Sequence, residues 1–143
     1  MTSDQALAER FDSHDLDLRA DGPRSTGMGL RLDEVAVDCA DPCALAAFWS
    51  AALGYELVEC DDDIASIEDP SGAAPSMYFQ RVPEAKSTKN RVHFDLSIAG
   101  EDMEVAIARL ISLGATRING GDDDIRWWAV LADPEGNEFC VAT

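Results

Sequence analysis

The 143-residue sequence predicts an α+β fold: two tandem β-α-β-β-β modules curled into a partly open mixed β-sheet barrel, with the helices outside. Two observations carry this. Apolar periodicity switches from alternation to helical spacing and back, in the same order, in each half of the chain. Turn and cap signals also recur at nearly constant offsets. Asp61-Asp62-Asp63-Ile64 returns as Asp122-Asp123-Asp124-Ile125, Asp69-Pro70-Ser71-Gly72 as Asp133-Pro134-Glu135-Gly136, and Gly54 as Gly114. Ordered matches with small insertions between them mark a duplication.

Residues 1–30 stand outside the repeat. They hold six acidic and three basic residues and end in a glycine-rich stretch, so they read as an acidic N-terminal tail. Thr2 and Gln5 form a capping-box pattern that suits one short helix carrying Leu7 and Phe11 on one face.

The first module spans about residues 31–83. Val35, Val37 and Cys39 alternate with Glu34, Ala36 and Asp38, a strand with one apolar face. Asp41-Pro42 supplies a helix N-cap and a first-position proline. Leu45, Phe48, Trp49, Ala52 and Leu53 follow at helical spacing, and Gly54 stops the helix. Extended runs come next at Tyr55–Glu59 and Ile64–Glu68, then the Asp69-Pro70 turn and a fourth strand, Met77–Val82. The second module spans about residues 90–143. Its first strand is Val92–Ile98, with Phe94, Leu96 and Ile98 apolar and His93, Asp95 and Ser97 between them. Its helix starts near Asp102, carries Met103, Ala106, Ile107, Leu110 and Leu113, and ends at Gly114. The aspartate triplets 61–63 and 122–124 precede the third strand of each module, where hairpin turns with solvated carboxylates are expected.

Each helix is expected to cover the apolar face of its own sheet. The opposite faces, with Glu34, Asp38, His93 and Asp95, are too polar for core. Brought edge to edge, they would enclose a polar cavity, the natural place for a ligand.

Composition narrows the ligand. Eleven basic against 28 acidic residues give a net charge of −17, which excludes a basic nucleic-acid surface and disfavours anionic membranes. No apolar run is long enough to span a bilayer. The expected partner is a small molecule that is neutral, cationic or held through a metal. Cys39, Cys43, Cys60 and Cys140 contain no CxxC pair, and Met1–Arg10 has no apolar leader. Reduced thiols and a cytoplasmic location are therefore expected.

Three stretches now carry a resemblance: the helix exit FWSAALGYEL from Phe48, the run NRVHFDLSI from Asn90, and the closing DPEGNEFCV from Asp133. From Arg31 to Thr143 the sequence resembles the vicinal oxygen chelate superfamily, and within it the glyoxalase-like domains. That resemblance implies a homodimer and, in many relatives, one divalent ion (Zn, Ni, Mn or Fe). The implied ligand positions are Glu34, where histidine is common, Gln80, where glutamate is common, His93, the usual histidine, and Cys140, where glutamate is usual. An amide and a thiol depart from the set that octahedral metals prefer, and a thiolate favours zinc. An extradiol dioxygenase needs a second histidine, and His14 lies in the tail.

The functional expectations divide accordingly. The first is a glyoxalase-like enzyme acting on a small oxygenated metabolite, with Glu34 and His93 as catalytic groups and, if a metal binds, carbonyl chelation with proton transfer. The alternative is a metal-free protein that sequesters a cationic small molecule, as in the bleomycin-resistance branch. Gln80, Tyr78, Asp95, Arg126 and Trp128 are candidate substrate contacts. Asp95 is placed to orient His93. Arg126 and Trp128 share a side of their strand that suits a planar or anionic ligand, with the choice of face left open. Cys140, with no flanking cation, reads first as a small buried hydrophobe, and Trp49 with Phe48 as core.

Overall fold

A computed structural model describes residues 29–122 and 127–143. The expected helix over Thr2–Phe11, Arg126 and most of the second aspartate triplet lie outside the described residues. The first module runs β1 (Glu34–Cys39), α1 (Pro42–Leu53), β2 (Glu56–Cys60), β3 (Ile64–Glu68) and β4 (Ser76–Arg81). The second runs β5 (Asp95–Ser97), α2 (Met103–Leu113), β6 (Thr116–Asp122), β7 (Trp127–Ala132) and β8 (Glu138–Ala142). The sheets have orders β1-β4-β3-β2 and β5-β8-β7-β6, each with one parallel pair, β1/β4 or β5/β8. The tandem α+β duplication is thus the observed topology. The two four-stranded sheets stay separate, and no closed barrel forms among the described residues.

Local chemistry sets the helix ends. The Asp41 side chain accepts from the Ala44 N–H at 3.0 Å, Pro42 opens α1, and Gly54 ends it in the left-handed region at φ 73°. Asp102 caps α2 through the N–H groups of Glu104 and Val105, and Gly114 ends it. Asp61 makes the expected turn by accepting from the N–H groups of Asp63 and Ile64, bonds that hold its carboxyl below the usual range. Strands β2 and β6 are sheet edges, and each carries a bulge, with Val58 and Ile118 as the extra residues. A bulge twists an edge and discourages pairing with another chain.

Strand β5 is shorter than the alternation suggests. Its ladder holds from the Phe94 carbonyl, which accepts from the Cys140 N–H, to the Ile98 N–H, which donates to Ala142. Val92 and His93 precede it because the Glu138 carboxylate, at the start of β8, binds the Asn90 N–H and Lys86 Nζ. The chain is held by that side chain rather than by a further rung.

One apolar core spans both modules. Leu45, Trp49, Ile67 and Phe79 of the first join Ile107, Leu110, Leu131, Phe139 and Val141 of the second. Trp49 is the joint. Its ring meets Phe94 at 5.6 Å and Phe139 at 5.0 Å, both edge-on, and its Nε1–H donates to Asp133 at 3.1 Å. The Glu135 carboxylate accepts from the N–H groups of Ala40 and Asp41 just ahead of α1. The Asp133-Pro134-Glu135-Gly136 turn of one module therefore seats the first helix of the other.

The expectation of four reduced thiols is corrected. Cys43 and Cys60 form a disulfide with Cα atoms 5.5 Å apart, while Cys39 and Cys140 are not disulfide-bonded. Cys60 pairs across the ladder with Ala65, a core residue on the helix side of the sheet, so its sulfur points toward the first turn of α1. Their sequence separation of 17 conceals a contact that the helix crossing creates.

Candidate functional site

Strand register places the side chains on the faces away from the helices. Parallel pairing of β1 and β4 sets Glu34 beside Ser76, Ala36 beside Tyr78 and Asp38 beside Gln80. Gln80 is only 6% exposed, and its Nε2 donates to Asp38 Oδ1 at 2.7 Å. Tyr78 is buried on the same face. Half-buried Glu34 accepts from the Ser76 hydroxyl at 3.2 Å. Four ladder positions separate Glu34 from Gln80, about 13 Å at roughly 3.3 Å per residue. These two candidates are not brought together.

In the second module Asp95 is level with half-buried Cys140. His93, its side chain 47% exposed, holds Nε2 3.3 Å from Asp95 Oδ1. Trp128 pairs with Ala142, two residues from Cys140, and so shares that face. Trp127 is exposed on the other side. His93, Asp95, Cys140 and Trp128 therefore belong to one surface. If Glu34 is matched with His93, the ladder counterpart of Cys140 is Tyr78 rather than Gln80. Three residues, Ala73 to Pro75, separate Gly72 from β4, whereas Asn137 alone separates Gly136 from β8. The two extra residues preserve the face and shift the level.

The modules meet along a cleft of ≈ 260 Å³ between β1 and residues 90–94, with Asp38, Asn90, His93, Asn137 and Glu138 among its walls. A second hollow of ≈ 480 Å³ shares Asp38 and Asn137 with it and adds Asp41, Glu84, Lys86 and Glu135. Most of these carboxylates are committed. Asp133, 3% exposed, takes bonds from Trp49, Asn137 and the Glu135 N–H. Glu138 is held at about 2 by the Asn90 N–H first, with Lys86 adding to it. Glu135 caps the backbone before α1. Exposed Asp38, by contrast, uses one oxygen on Gln80 and shares the cleft with His93. Asn90, Asn137 and Glu138 were not singled out from sequence. The one hint was the asparagine closing the Asp133 turn, whose N–H and amide bind Asp133.

The donors implied for a metal do not form a shell within one chain. Glu34 and Gln80 are apart and engaged with Ser76 and Asp38. No three His, Cys, Asp or Glu side chains among the described residues gather where one ion could hold them.

The profile of the Glyoxalase-like domain family matches residues 34–142. The chain belongs to this family. Solved structures of the vicinal oxygen chelate type share its fold. A glyoxalase/bleomycin resistance protein/dioxygenase family enzyme from Burkholderia phytofirmans PsJN superposes with a TM-score of 0.66 at 18% identity, over 79% of this chain and 98% of its own. The genomically encoded fosfomycin resistance protein FosX from Listeria monocytogenes gives 0.65 at 13%, over 80% and 93%. A glyoxalase-related enzyme from Fulvimarina pelagi gives 0.61 at 15%, over 78% and 86%. No protein of curated function matches by sequence. Among the described residues no helix is long and apolar enough to cross a membrane.

Proposed function

We propose that this glyoxalase-like domain binds a small cationic molecule in the cleft between its modules, with Asp38 as the charged anchor. The observation that carries the reading is the Asp38–Gln80 hydrogen bond, which aligns a cleft carboxylate while leaving its second oxygen to a ligand. His93 and Asn137 line the same cleft, and the adjoining hollow adds Glu84 and Asp41 against one lysine. A cation is the complement of such walls. The net charge of −17 fits a protein without nucleic-acid or membrane partners. Membership of the family supports a homodimer with a small-molecule ligand.

Catalysis on a small oxygenated metabolite is the second reading, favoured by the His93–Asp95 contact. A carboxylate 3.3 Å from Nε2 orients an imidazole that could take a proton from a ligand in the cleft. Glu34, engaged by Ser76 at the far end of β1, has no part in that step.

Titration calorimetry with a panel of cationic aromatic amines and their neutral analogues tests the first reading, alongside elemental analysis of protein purified without chelators. Amine binding that falls at least ~10-fold in Asp38→Asn, without stoichiometric metal, is the expected result. Stoichiometric divalent metal that is lost in His93→Ala would replace it with metal-dependent chemistry. Sedimentation analysis checks the dimer.

A further inference from the structure

We propose that Cys43 and Cys60 are a reversible thiol–disulfide couple, opened by a small-molecule thiol of the glutathione class that attacks the Cys60 sulfur. The two sulfurs are unequal. Cys60 is the last residue of β2, an edge strand whose residues are all exposed. Cys43 is the second residue of α1 and half-buried. Attack on a disulfide requires access to one sulfur and a stable thiolate on the other. As a residue Cys60 is exposed at the end of the edge strand. Cys43, second in the first turn of α1, lies at the positive end of that helix, which offsets the charge of a departing thiolate there against the nearby Asp41 carboxylate.

The exchange balances as two displacements. A thiolate bonds to Cys60 Sγ, and the electron pair of the broken S–S bond leaves on Cys43, which takes a proton. A second thiol attacks the mixed disulfide and releases Cys60 as a thiol with a small-molecule disulfide. Two electrons pass from the small thiols to the protein, and a small-molecule disulfide reverses the sequence. The other cysteines do not compete equally. Cys39 is buried, its thiol pushed up to about 12 by burial and by Glu135, Asp38 and Asp41. Cys140 is half-buried on the opposite sheet.

The bond joins an edge strand to a helix end that matters for the cleft. Beside its contacts with α1, strand β2 is held by its ladder to β3, which the bulge at Val58 interrupts. Asp41 and Ala44, on either side of Cys43, line the second hollow. Opening the bond therefore loosens β2 and the turn of α1 that borders the ligand-sized space.

The full chain, folded by circular dichroism, is equilibrated in glutathione buffers from fully oxidised to fully reduced, acid-quenched, alkylated and mapped by peptide mass spectrometry. Expected are a Cys43–Cys60 bond in oxidised buffer, two free thiols in reduced buffer, and a transient glutathione adduct mainly on Cys60. Hydrogen exchange over residues 56–60 should quicken at least ~10-fold on reduction. In Cys43→Ser/Cys60→Ser it should be fast in every buffer. A bond that persists in reduced buffer while the protein is folded, four free thiols in oxidised buffer, an adduct mainly on Cys43, or unchanged exchange on reduction would each overturn the proposal.

Discussion

A buried carboxamide that donates to one carboxylate oxygen depends on that oxygen, because water cannot replace it. Gln80 is in this position with Asp38. Asp38→Ala should therefore cost about 1–3 kcal/mol, the penalty for an unsatisfied buried donor. Adding Gln80→Leu should recover much of that loss. Urea denaturation of the two single variants and the double variant reads the coupling directly, and additive losses would mean that the pair does not interact. Cys39 tests burial in another way. Its thiol ionises near 9.0 in an unsettled environment but only at about 12 in the folded protein. Between those values the unfolded chain loses a proton that the folded chain keeps, so stability falls as pH rises through that window. The contribution is fully present below pH 9. Thermal melting from pH 8 to 11, in oxidised protein so that Cys43 and Cys60 do not titrate, should show a steeper decline in wild type than in Cys39→Ala.

Elements were most legible where one short stretch of chain determines them. Asp41-Pro42 and Gly54 mark α1 because an N-cap, a first-position proline and a left-handed glycine act within a few residues. The same holds for Asp102 and α2 and for the Asp61 turn. What depends on a second element was less legible. Alternation from Val92 to Ile98 describes a strand on either side of β8's start, yet only β8's length and the Glu138 side chain decide where pairing begins. Glu34 and Gln80 lie on one face as the alternation says, and parallel register puts them four rungs apart. Side-chain period gives the face of a strand and is blind to its level. The Cys43–Cys60 bond escaped for the same reason, since it exists only where α1 crosses over β2. Of the site candidates, alternation within one strand put His93 and Asp95 on one face, whereas only the pairing of Asp95 with Cys140 and of Trp128 with Ala142 brings Cys140 and Trp128 to the same surface.

Two four-stranded sheets linked by residues 82–94 would have no reason to unfold together if each had its own core. They share one instead, and Trp49 carries much of the connection through Phe94, Phe139 and Asp133. Wild-type protein should melt in one calorimetric transition, with calorimetric and van't Hoff enthalpies in agreement. Trp49→Ala removes the ring contacts to Phe94 and Phe139 across the modules and the donor to Asp133, a loss of about 3–5 kcal/mol for a buried aromatic. Its transition should broaden or divide as the modules lose their common core. Trp49→Phe keeps a ring in place and removes the hydrogen bond alone, so it should lower stability by about 1–3 kcal/mol and still melt as one unit. Two transitions in the wild type would mean that the modules are independent. The outcome bears on function, because the cleft has one wall in β1 and the other in residues 90–94 and 133–138. A ligand held there touches both modules and stabilises only their docked arrangement. It should raise the single wild-type transition as a whole. In Trp49→Ala, where docking no longer accompanies folding, the same ligand concentration should give a smaller shift.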